Sequence, residues 1–238
     1  MLTYDDLLEL VRKRRSNRRF KLDPVSDDLV DKIIEVARWA PSGANSQPWE
    51  FVVIKEKETR EKIYEIIAAQ GEMNRRVEMT RPPELRHHTG EPGRRPGYME
   101  APVFIIACGD PRLRACYPAS AALTRGKENL ISGMASAFLY MHLAATALGL
   151  GSQWVSTTAS AVPQAQLKVL LNIPTKLEIY DMMVLGYPSG QPRPKLTRER
   201  AEMVHREKFD VSRFKTGEQV RQYVMSINRG GAATPNHP

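Results

Sequence analysis

The sequence predicts a layered domain of the α+β or α/β class. Segments with helical periodicity alternate loosely with short apolar segments that suit buried strands, and a long apolar helix over 129–148 suits the centre of such a domain. A chain of 238 residues, 42% of them hydrophobic, is ample for a sizeable core. We expect one domain over 1–229, with a C-terminal extension over 200–229 and a flexible tail over 230–238.

Three helices and one strand are predicted at the start of the chain. The side chain of Thr3 suits the N-cap of the first helix, which ends in basic residues at 12–15. The second helix starts at Ser26 and has to end before Pro41, because proline disfavours helical geometry in the residue before it. The remaining elements of this part are a buried strand at 50–54 and a third helix at 59–70, closed by Gly71.

Residues 72–100 break this pattern. The segment is polar and contains prolines at 82, 83, 92 and 96, glycines at 90, 93 and 97, and many arginines. A loop of that length inside a compact domain is either disordered or a functional lid. We therefore interpret it as an insertion into the domain.

The second half of the chain supplies the other predicted elements. The helix at 129–148 has apolar or small residues around nearly its whole circumference, which predicts burial on all sides. Its small residues would let two copies of the helix pack closely, although a monomer's central helix is the alternative; they are Gly133, Ala137, Ala144 and Ala145. The remaining predictions are strands at 102–109, 152–156 and 178–186 and helices at 163–172 and 217–228.

Composition narrows the classes of function. The chain has 35 Lys and Arg against 27 Asp and Glu, and the net charge of +8 favours an anionic partner: nucleic acid, a membrane surface or a phosphorylated small molecule. Two cysteines, Cys108 and Cys116, cannot staple a secreted scaffold, and their spacing fits no zinc site. Because no apolar run reaches about 18 residues and the N-terminus is acidic, we expect no membrane association and a cytoplasmic location.

A dense basic run follows the first helix. Six of the eight residues at 12–19 are Lys or Arg, interrupted by Ser16 and Asn17. A solvated helix end or a nucleic-acid patch is the ordinary interpretation of such a run. Three arginine side chains and one hydroxyl around a single turn could also hold a phosphate dianion, since each charge-assisted hydrogen bond contributes about 1.5–3 kcal/mol.

Small and polar residues concentrate at 40–49, between the second helix and the first strand. Pro, Ser, Gly and Asn all favour turns, so an ordinary turn is one interpretation. A ligand-binding loop is the other, because small residues let the backbone approach a flat ligand while Ser42, Asn45 and Gln47 supply donors and acceptors.

Four short motifs follow one another along the chain. They are RRSNRRF at 14–20, PSGANSQPW at 41–49, GLG at 149–151 and GYP at 186–188, and together they cover most of residues 3–200. In this combination and order they resemble the FMN-dependent nitroreductase superfamily. The resemblance implies a three-layer α/β/α fold with a mixed, mainly antiparallel central sheet, and an intertwined homodimer with FMN at the subunit interface.

The resemblance also assigns a phosphate site. Arg14, Arg15 and Arg18 would bind the phosphate and the ribityl chain of FMN, and Ser16 would bind the ribityl chain or the ring edge. The basic residues that return to this phosphate after the GYP motif correspond to Lys195 and Arg198, with Arg200 as an alternative to Arg198.

Two further segments would contact the flavin. The loop at 41–47 would reach the FMN held mainly by the other subunit, through Pro41, Ser42, Gly43, Asn45 and Gln47. At the end of the strand at 152–156, the cofactor ligands would be Val155, Ser156 and Thr157. The catalytic groups beside the reactive ring nitrogen would be Thr157 and Thr158. This hydroxyl run resembles the dehalogenase and flavin-destructase branch more than the branches with a Glu-Gly pair there.

That branch has an active-site lid where this chain has residues 72–100. The candidate substrate contacts of the lid are Arg75, Arg76, Arg81 and Tyr98. The acidic, aromatic and lysine trio by which iodotyrosine dehalogenases hold a zwitterion is not recognisable, because no lysine lies between Glu72 and Tyr98. We predict no metal site, since the adjacent His87 and His88 would not readily converge on one ion.

The resemblance implies an FMN-dependent oxidoreductase. NADH or NADPH would reduce the flavin and leave, and an electron-poor acceptor such as a nitroaromatic or a quinone would then enter, which is a ping-pong mechanism. A reductive dehalogenase or a flavin-destructase-like enzyme is the alternative on the same fold. A basic nucleic-acid-binding protein is the alternative of another class, and we expect no nucleic acid as partner.

Overall fold

The computed structural model describes residues 1, 3–87, 93–190, 192, 195 and 197–229, without the side chains of 228 and 229. His88 and the tail predicted at 230–238 lie outside these residues. The chain divides into two units, of which the first comprises Met1–Gly71 and Arg95–Pro192 and the second Glu72–Arg94 and Arg193–Pro238. The second unit thus combines most of the predicted insertion with the predicted C-terminal extension.

Within the described residues, a four-stranded antiparallel sheet forms the centre of the first unit. Its strands are β1 (Trp49–Ile54), β2 (Val103–Gly109), β3 (Gly151–Val155) and β4 (Glu178–Gly186), in the order β1-β2-β4-β3. β2 is buried throughout, and β4 is buried from Asp181 onward. The strand predicted at 50–54 is an edge strand with exposed or half-buried middle residues, because only β2 pairs with it.

Helices cover both faces of this sheet. Side chains alternate between the faces of a strand, so Val103 of β2 joins one hydrophobic cluster and Phe104 the other. The first cluster includes residues of α2 (Asp27–Arg38) and α4 (Ala119–Ala147), and the second includes residues of α3 (Lys57–Glu78) and α5 (Ala161–Leu170). The first unit therefore has three layers. The resemblance implies a mixed sheet, whereas these four strands pair only in antiparallel fashion. A parallel pairing occurs in the isolated bridge between Ser16 and Ser152.

The predicted starts of the first two helices are confirmed. Thr3 caps α1 (Tyr4–Lys13): its hydroxyl accepts from the Asp6 amide, and the Asp6 carboxylate accepts from the Thr3 amide. Ser26 caps α2 by accepting from the amide of Leu29. α1 buries no residue, and its apolar residues Tyr4, Leu7 and Val11 are exposed.

The predicted end of the third helix is wrong. α3 starts at Lys57 and runs through Gly71 to Glu78, so the segment predicted to be irregular begins with two further helical turns. A glycine ends a helix when it adopts a positive φ, and Gly71 does not. The return of the chain at Arg95 is anchored to the same helix: Arg95 donates twice to Glu61, at 2.6 and 3.0 Å, and lies over the Tyr64 ring at 4.2 Å.

The long helix also differs from its prediction. α4 begins at Ala119, ten residues before the predicted start, and is kinked at Arg125. It is not buried on all sides, because Leu123, Ile131 and Leu139 are exposed. Within the described residues α4 is long and apolar enough to cross a membrane, but half of its most apolar window is buried inside the protein, as expected of a helix that packs on a sheet.

The small residues of α4 contact their own chain. A Cβ at Gly133 would lie 3.2 Å from that of Ser42. Ala137, Ala144 and Ala145 belong to the first hydrophobic cluster together with α2 and the sheet. These positions are therefore filled within one subunit and are not available for the predicted packing of two copies of the helix.

The second unit carries most of the net positive charge. Its sequence has fifteen Lys and Arg against nine Asp and Glu, so it accounts for +6 of the +8. A turn at Pro83–Leu85 contacts α7 (Gly217–Arg229), where Arg221 pairs with Glu84, and α6 is a single turn (Arg200–Met203). None of the described residues in this unit is buried. The helix predicted at 217–228 is confirmed.

Candidate functional site

The basic turn at 14–18 lies along the start of β3. Helix α1 ends at Lys13, and Arg14 already has extended geometry, with ψ at 117°. Ser16 forms a parallel bridge with Ser152, and the amide of Asn17 donates to the carbonyl of Ser152 at 2.9 Å. Because β3 is an edge strand, its free backbone groups are available to hold the turn.

The GLG motif makes this contact possible. Gly149 has a φ of +74°, which lets the chain reverse after α4 at little steric cost. Gly151 lies against the turn so closely that a Cβ would be 2.9 Å from Cγ of Asn17. A side chain at 151 would therefore displace the basic turn.

Arg14 has the environment of an anion-binding group. Its side chain is half-buried, and burial together with the charge of Arg15 lowers the pKa of Arg14. Among the described residues, no carboxylate lies within ion-pair distance of its guanidinium. A desolvated guanidinium without a counter-ion favours an anionic ligand. Arg18 is exposed, and its charge lowers the pKa of Tyr98, although burial raises that pKa more.

The loop at 41–47 is strained and holds itself in shape. Ala44, Asn45 and Gln47 have φ values of +49°, +50° and +43°, each of which costs an ordinary residue about 1–2 kcal/mol. The amide of Gln47 donates to Oγ of Ser42 at 3.0 Å, and its side-chain amide donates to Oδ1 of Asn45 at 3.2 Å. The predicted ligand groups thus partly bind one another. Strain of this kind in non-glycine residues is typical of binding and catalytic loops.

The loop packs against α4 and the segment before it. Gly43 lies against the Tyr117 ring, where a Cβ would be 3.0 Å from Cε1. The hydroxyl of buried Ser46 lies 3.5 Å from that of Tyr117. Pro41 is exposed, and Pro48 and Trp49 are buried as the loop enters β1. These contacts fix the strained loop on the first unit.

The turn after β3 places its predicted ligand residues at different depths. Val155 ends the strand and is buried, Ser156 is exposed, and Thr157 is half-buried. Thr158 is fully buried, and its hydroxyl donates to the carbonyl of Val155 at 3.2 Å. We predicted a backbone amide or a hydroxyl of Thr157 or Thr158 as the catalytic donor, and of the two hydroxyls that of Thr158 already bonds to the backbone. Ser156 and Thr157 are the accessible hydroxyls of this turn.

The predicted lid arginines belong to the second unit. Arg75 pairs with Glu72 at 3.2 Å, Arg81 pairs with Glu78 at the same distance, and Arg76 is 80% exposed. Lys195 and Arg198 lie in this unit as well. Lys195 is exposed, and Arg198 lies 3.5 Å from the carboxylate of Glu202. Tyr98 is in the first unit, half-buried against the second hydrophobic cluster.

A buried polar cluster behind β3 was not predicted. Nδ1 of His142 lies 2.7 Å from Oγ of Ser152, and the His142 ring stacks on Trp154, whose indole N–H donates to Asp181. Burial lowers the pKa of His142 to about 3, helped by the charge of Arg14, and raises the pKa of Asp181 to about 6. A histidine in an otherwise apolar helix, four residues after Phe138, is the sequence signal for this cluster.

Three side-chain atoms on α4, β3 and β4 are buried without a partner among the described residues. They are Nε2 of His142, Oδ1 of Asp181 and Oε1 of Gln153. An unpaired buried polar atom costs about 1–3 kcal/mol, so each indicates a constraint other than packing. In the described part of the chain, no three His, Cys, Asp or Glu side chains converge on a metal position.

Comparison with known proteins identifies the fold and the family. The profile of the nitroreductase family matches residues 11–187. A protein of Archaeoglobus fulgidus described as a candidate NADH dehydrogenase/NAD(P)H nitroreductase is 27% identical over 207 residues, which is 86% of this chain and 99% of the relative. The iodotyrosine deiodinase of Thermotoga neapolitana is 28% identical over 193 residues, covering 81% of this chain and 93% of the relative.

A solved structure agrees with these relatives. The crystal structure of a candidate nitroreductase of Desulfovibrio desulfuricans, in complex with FMN, is 27% identical to this chain and superposes with a TM-score of 0.62. The alignment covers 87% of this chain and all of that one. The α+β fold with its antiparallel sheet is thus nitroreductase-like, and the chain belongs to the nitroreductase family.

Proposed function

We propose that this protein is an FMN-dependent oxidoreductase that uses NADH or NADPH to reduce an electron-poor organic acceptor. The observation that carries the proposal is Arg14, a half-buried guanidinium without a carboxylate partner among the described residues, in a turn fixed to the edge of the sheet. Family membership and a relative solved with FMN support the cofactor. Nitroaromatics and quinones are the acceptor classes to test first.

The residues of the first unit fit a phosphorylated flavin. Arg14 and Arg18 would hold the phosphate, Ser16 would bind the ribityl chain, and the backbone around Val155 and Ser156 would lie along the ring. When bound, FMN supplies a ring system that accepts a hydride from the nicotinamide and passes electrons to the acceptor. The protein binds and orients both partners and excludes water. Lys195 and Arg198, in the second unit, are proposed as further phosphate ligands.

We also propose that the functional form is a homodimer. Apolar side chains of the first unit are exposed on α1 and α4, with Leu7 and Val11 on one helix and Ile131 and Leu139 on the other, each between 44 and 47% exposed. A second copy would cover such surfaces and supply the second loop at 41–47. Light scattering after size-exclusion chromatography measures the mass; a monomer at micromolar concentration would contradict the dimer.

An absorption spectrum with a matched pair of variants tests the flavin site. The purified protein should be yellow, and NADH or NADPH should bleach it under anaerobic conditions. Arg14→Ala should lose the flavin, whereas Arg12→Ala should keep it, because both variants remove one positive charge from the same run and Arg12 is an exposed residue of α1. Equal flavin content in the two variants would contradict the phosphate assignment. A colourless wild-type protein that ignores added FMN would contradict the function itself.

Reductive dehalogenation is the second candidate. The iodotyrosine deiodinase of Thermotoga neapolitana aligns over 81% of this chain, and Ser156 and Thr157 present accessible hydroxyls after β3. Halide release from halophenols, measured beside nitroaromatic and quinone reduction with the same reductant, separates the two activities. Loss of FMN absorbance during turnover with oxygen would instead indicate a flavin-destructase-like reaction.

A further inference from the structure

Ser152 is the point at which three elements of the first unit meet. It lies at the start of β3, its carbonyl accepts from the amide of Asn17 at 2.9 Å, and its backbone forms the bridge with Ser16. Its hydroxyl lies 2.7 Å from Nδ1 of His142 on α4. The hydrogen bond to the histidine therefore ties α4 to the strand residue that carries the basic turn.

The ring of His142 is held rigidly and stays neutral. It is 2% exposed, stacks on Trp154 at a centroid distance of 5.6 Å and meets the Phe138 ring edge-on at 5.2 Å. Burial and the charge of Arg14 lower the pKa of His142 to about 3, so the imidazole is neutral at physiological pH and does not repel Arg14. The hydrogen bond to Ser152 thus persists beside a cation.

The cost of this histidine indicates that the hydrogen bond is needed. Nε2 of His142 is buried without a partner among the described residues. A phenylalanine would fill the same space between Phe138 and Trp154 without the unpaired nitrogen, but it would leave the buried hydroxyl of Ser152 without its partner. Packing alone therefore does not account for a histidine here, and the bond from Nδ1 to Ser152 is what the imidazole adds.

We infer that His142 and Ser152 are positioning residues for phosphate recognition: their hydrogen bond fixes β3 so that Ser16 and Asn17 hold the basic turn, and with it Arg14, in the geometry that binds the phosphate of FMN. This inference rests on the proposed function. Neither residue touches the ligand, so both act through the turn. The pair should affect affinity for the phosphorylated flavin much more than affinity for riboflavin, which has no phosphate and would contact this turn through Ser16 alone.

Titration of the flavin-free full-length protein with FMN and with riboflavin tests this inference. His142→Phe and Ser152→Ala should each weaken FMN binding about tenfold, the expected loss for one buried hydrogen bond, and change riboflavin binding by less than about twofold. The double variant should lose no more than either single variant, because both remove the same bond. His142→Asn, whose amide can reach the place of Nδ1, should recover FMN affinity to within about threefold of wild type.

Phe138→Leu is the structural control, because it disturbs the packing around the His142 ring without removing a hydrogen bond. It should lower the thermal midpoint and leave the ratio of FMN to riboflavin affinity unchanged. An equal loss of both flavins in His142→Phe would assign the residue to packing and overturn the inference, as would unchanged FMN affinity. If wild-type protein bound FMN no better than riboflavin, the proposed phosphate site itself would fail, which is a separate result.

Discussion

Replacement of Asp181 by asparagine should change how the stability of the protein depends on pH. Asp181 is 7% exposed, and the indole N–H of Trp154 donates to one of its carboxylate oxygens. The other oxygen is buried without a partner among the described residues. Burial disfavours the ionised form and raises the pKa of Asp181 from 3.8 to about 6, although the Trp154 hydrogen bond opposes this change.

The sign of the effect follows from proton uptake. Between about pH 4 and pH 6 the folded protein keeps a proton on Asp181 that the unfolded chain has released, so the free energy of unfolding falls as pH rises through this window. The gap between the two pKa values corresponds to about 3 kcal/mol, which is an upper bound. Asparagine cannot ionise. The stability of Asp181→Asn relative to wild type should therefore rise by up to about 3 kcal/mol between pH 4 and pH 7.

Urea unfolding of both proteins at several pH values between 4 and 7 measures this difference. Other carboxylates cancel in the comparison, and any fixed cost of burying the new amide shifts all points equally. Asp110→Asn is the control of opposite sign, because Arg112 lowers the pKa of Asp110. If the difference in free energy of unfolding between Asp181→Asn and wild type stayed constant from about pH 4 to pH 7, the raised pKa of Asp181 would be refuted.

Three further variants test the strained loop at 41–47, the close approach of Gly151 to Asn17, and the ion pair between Arg95 and Glu61. Ala44→Gly should raise the free energy of unfolding by about 0.5–1 kcal/mol in urea, because glycine tolerates the positive φ of this position but loses more backbone entropy. Gly151→Ala should lower the free energy of unfolding by about 1–3 kcal/mol and weaken FMN binding, because the new Cβ would displace Asn17. If this variant bound FMN with wild-type affinity, the role of this contact in FMN binding would be contradicted. Arg95→Lys, which loses the paired bonds to Glu61, should lower the free energy of unfolding by about 1–2 kcal/mol. If the basic second unit bound nucleic acid, DNA affinity would fall steeply with salt; we expect no measurable binding at 150 mM salt, a concentration near physiological ionic strength.

Features that depend on a few neighbouring residues could be predicted from the sequence. The caps at Thr3 and Ser26, the strand at 178–186 and the basic turn after α1 all follow from local chemistry, and the structure has each of them. Gly71 shows the limit of this reasoning. A glycine near a helix end predicts a stop only if its φ becomes positive, and that depends on whether the following residues continue the helix, as Glu72 and Arg75 do here.

Features that depend on tertiary contacts could not be predicted. Asp181 accepts a hydrogen bond from Trp154, 27 residues away, and pairs with Ala107 next to a register shift between Ala107 and Cys108. Composition drew attention to the loop at 41–47, but it did not show that Ser42, Asn45 and Gln47 bond to one another. The commitment of the Thr158 hydroxyl to the backbone likewise appears only once the turn after β3 is built.

β3 shows why an edge strand suits a cofactor site. A strand inside a sheet has both edges occupied, whereas Ser152 has a free edge that accepts from Asn17 and pairs with Ser16. The five residues of β3 end at Val155, where the ring of a bound flavin is proposed to lie. One short rigid strand would therefore set the distance between the phosphate and the ring. α4 holds β3 through His142, and β4 holds it through Asp181. A substitution at either residue should therefore alter cofactor binding even when the sheet stays folded. Stability and FMN affinity measured on the same variants can therefore separate the two effects.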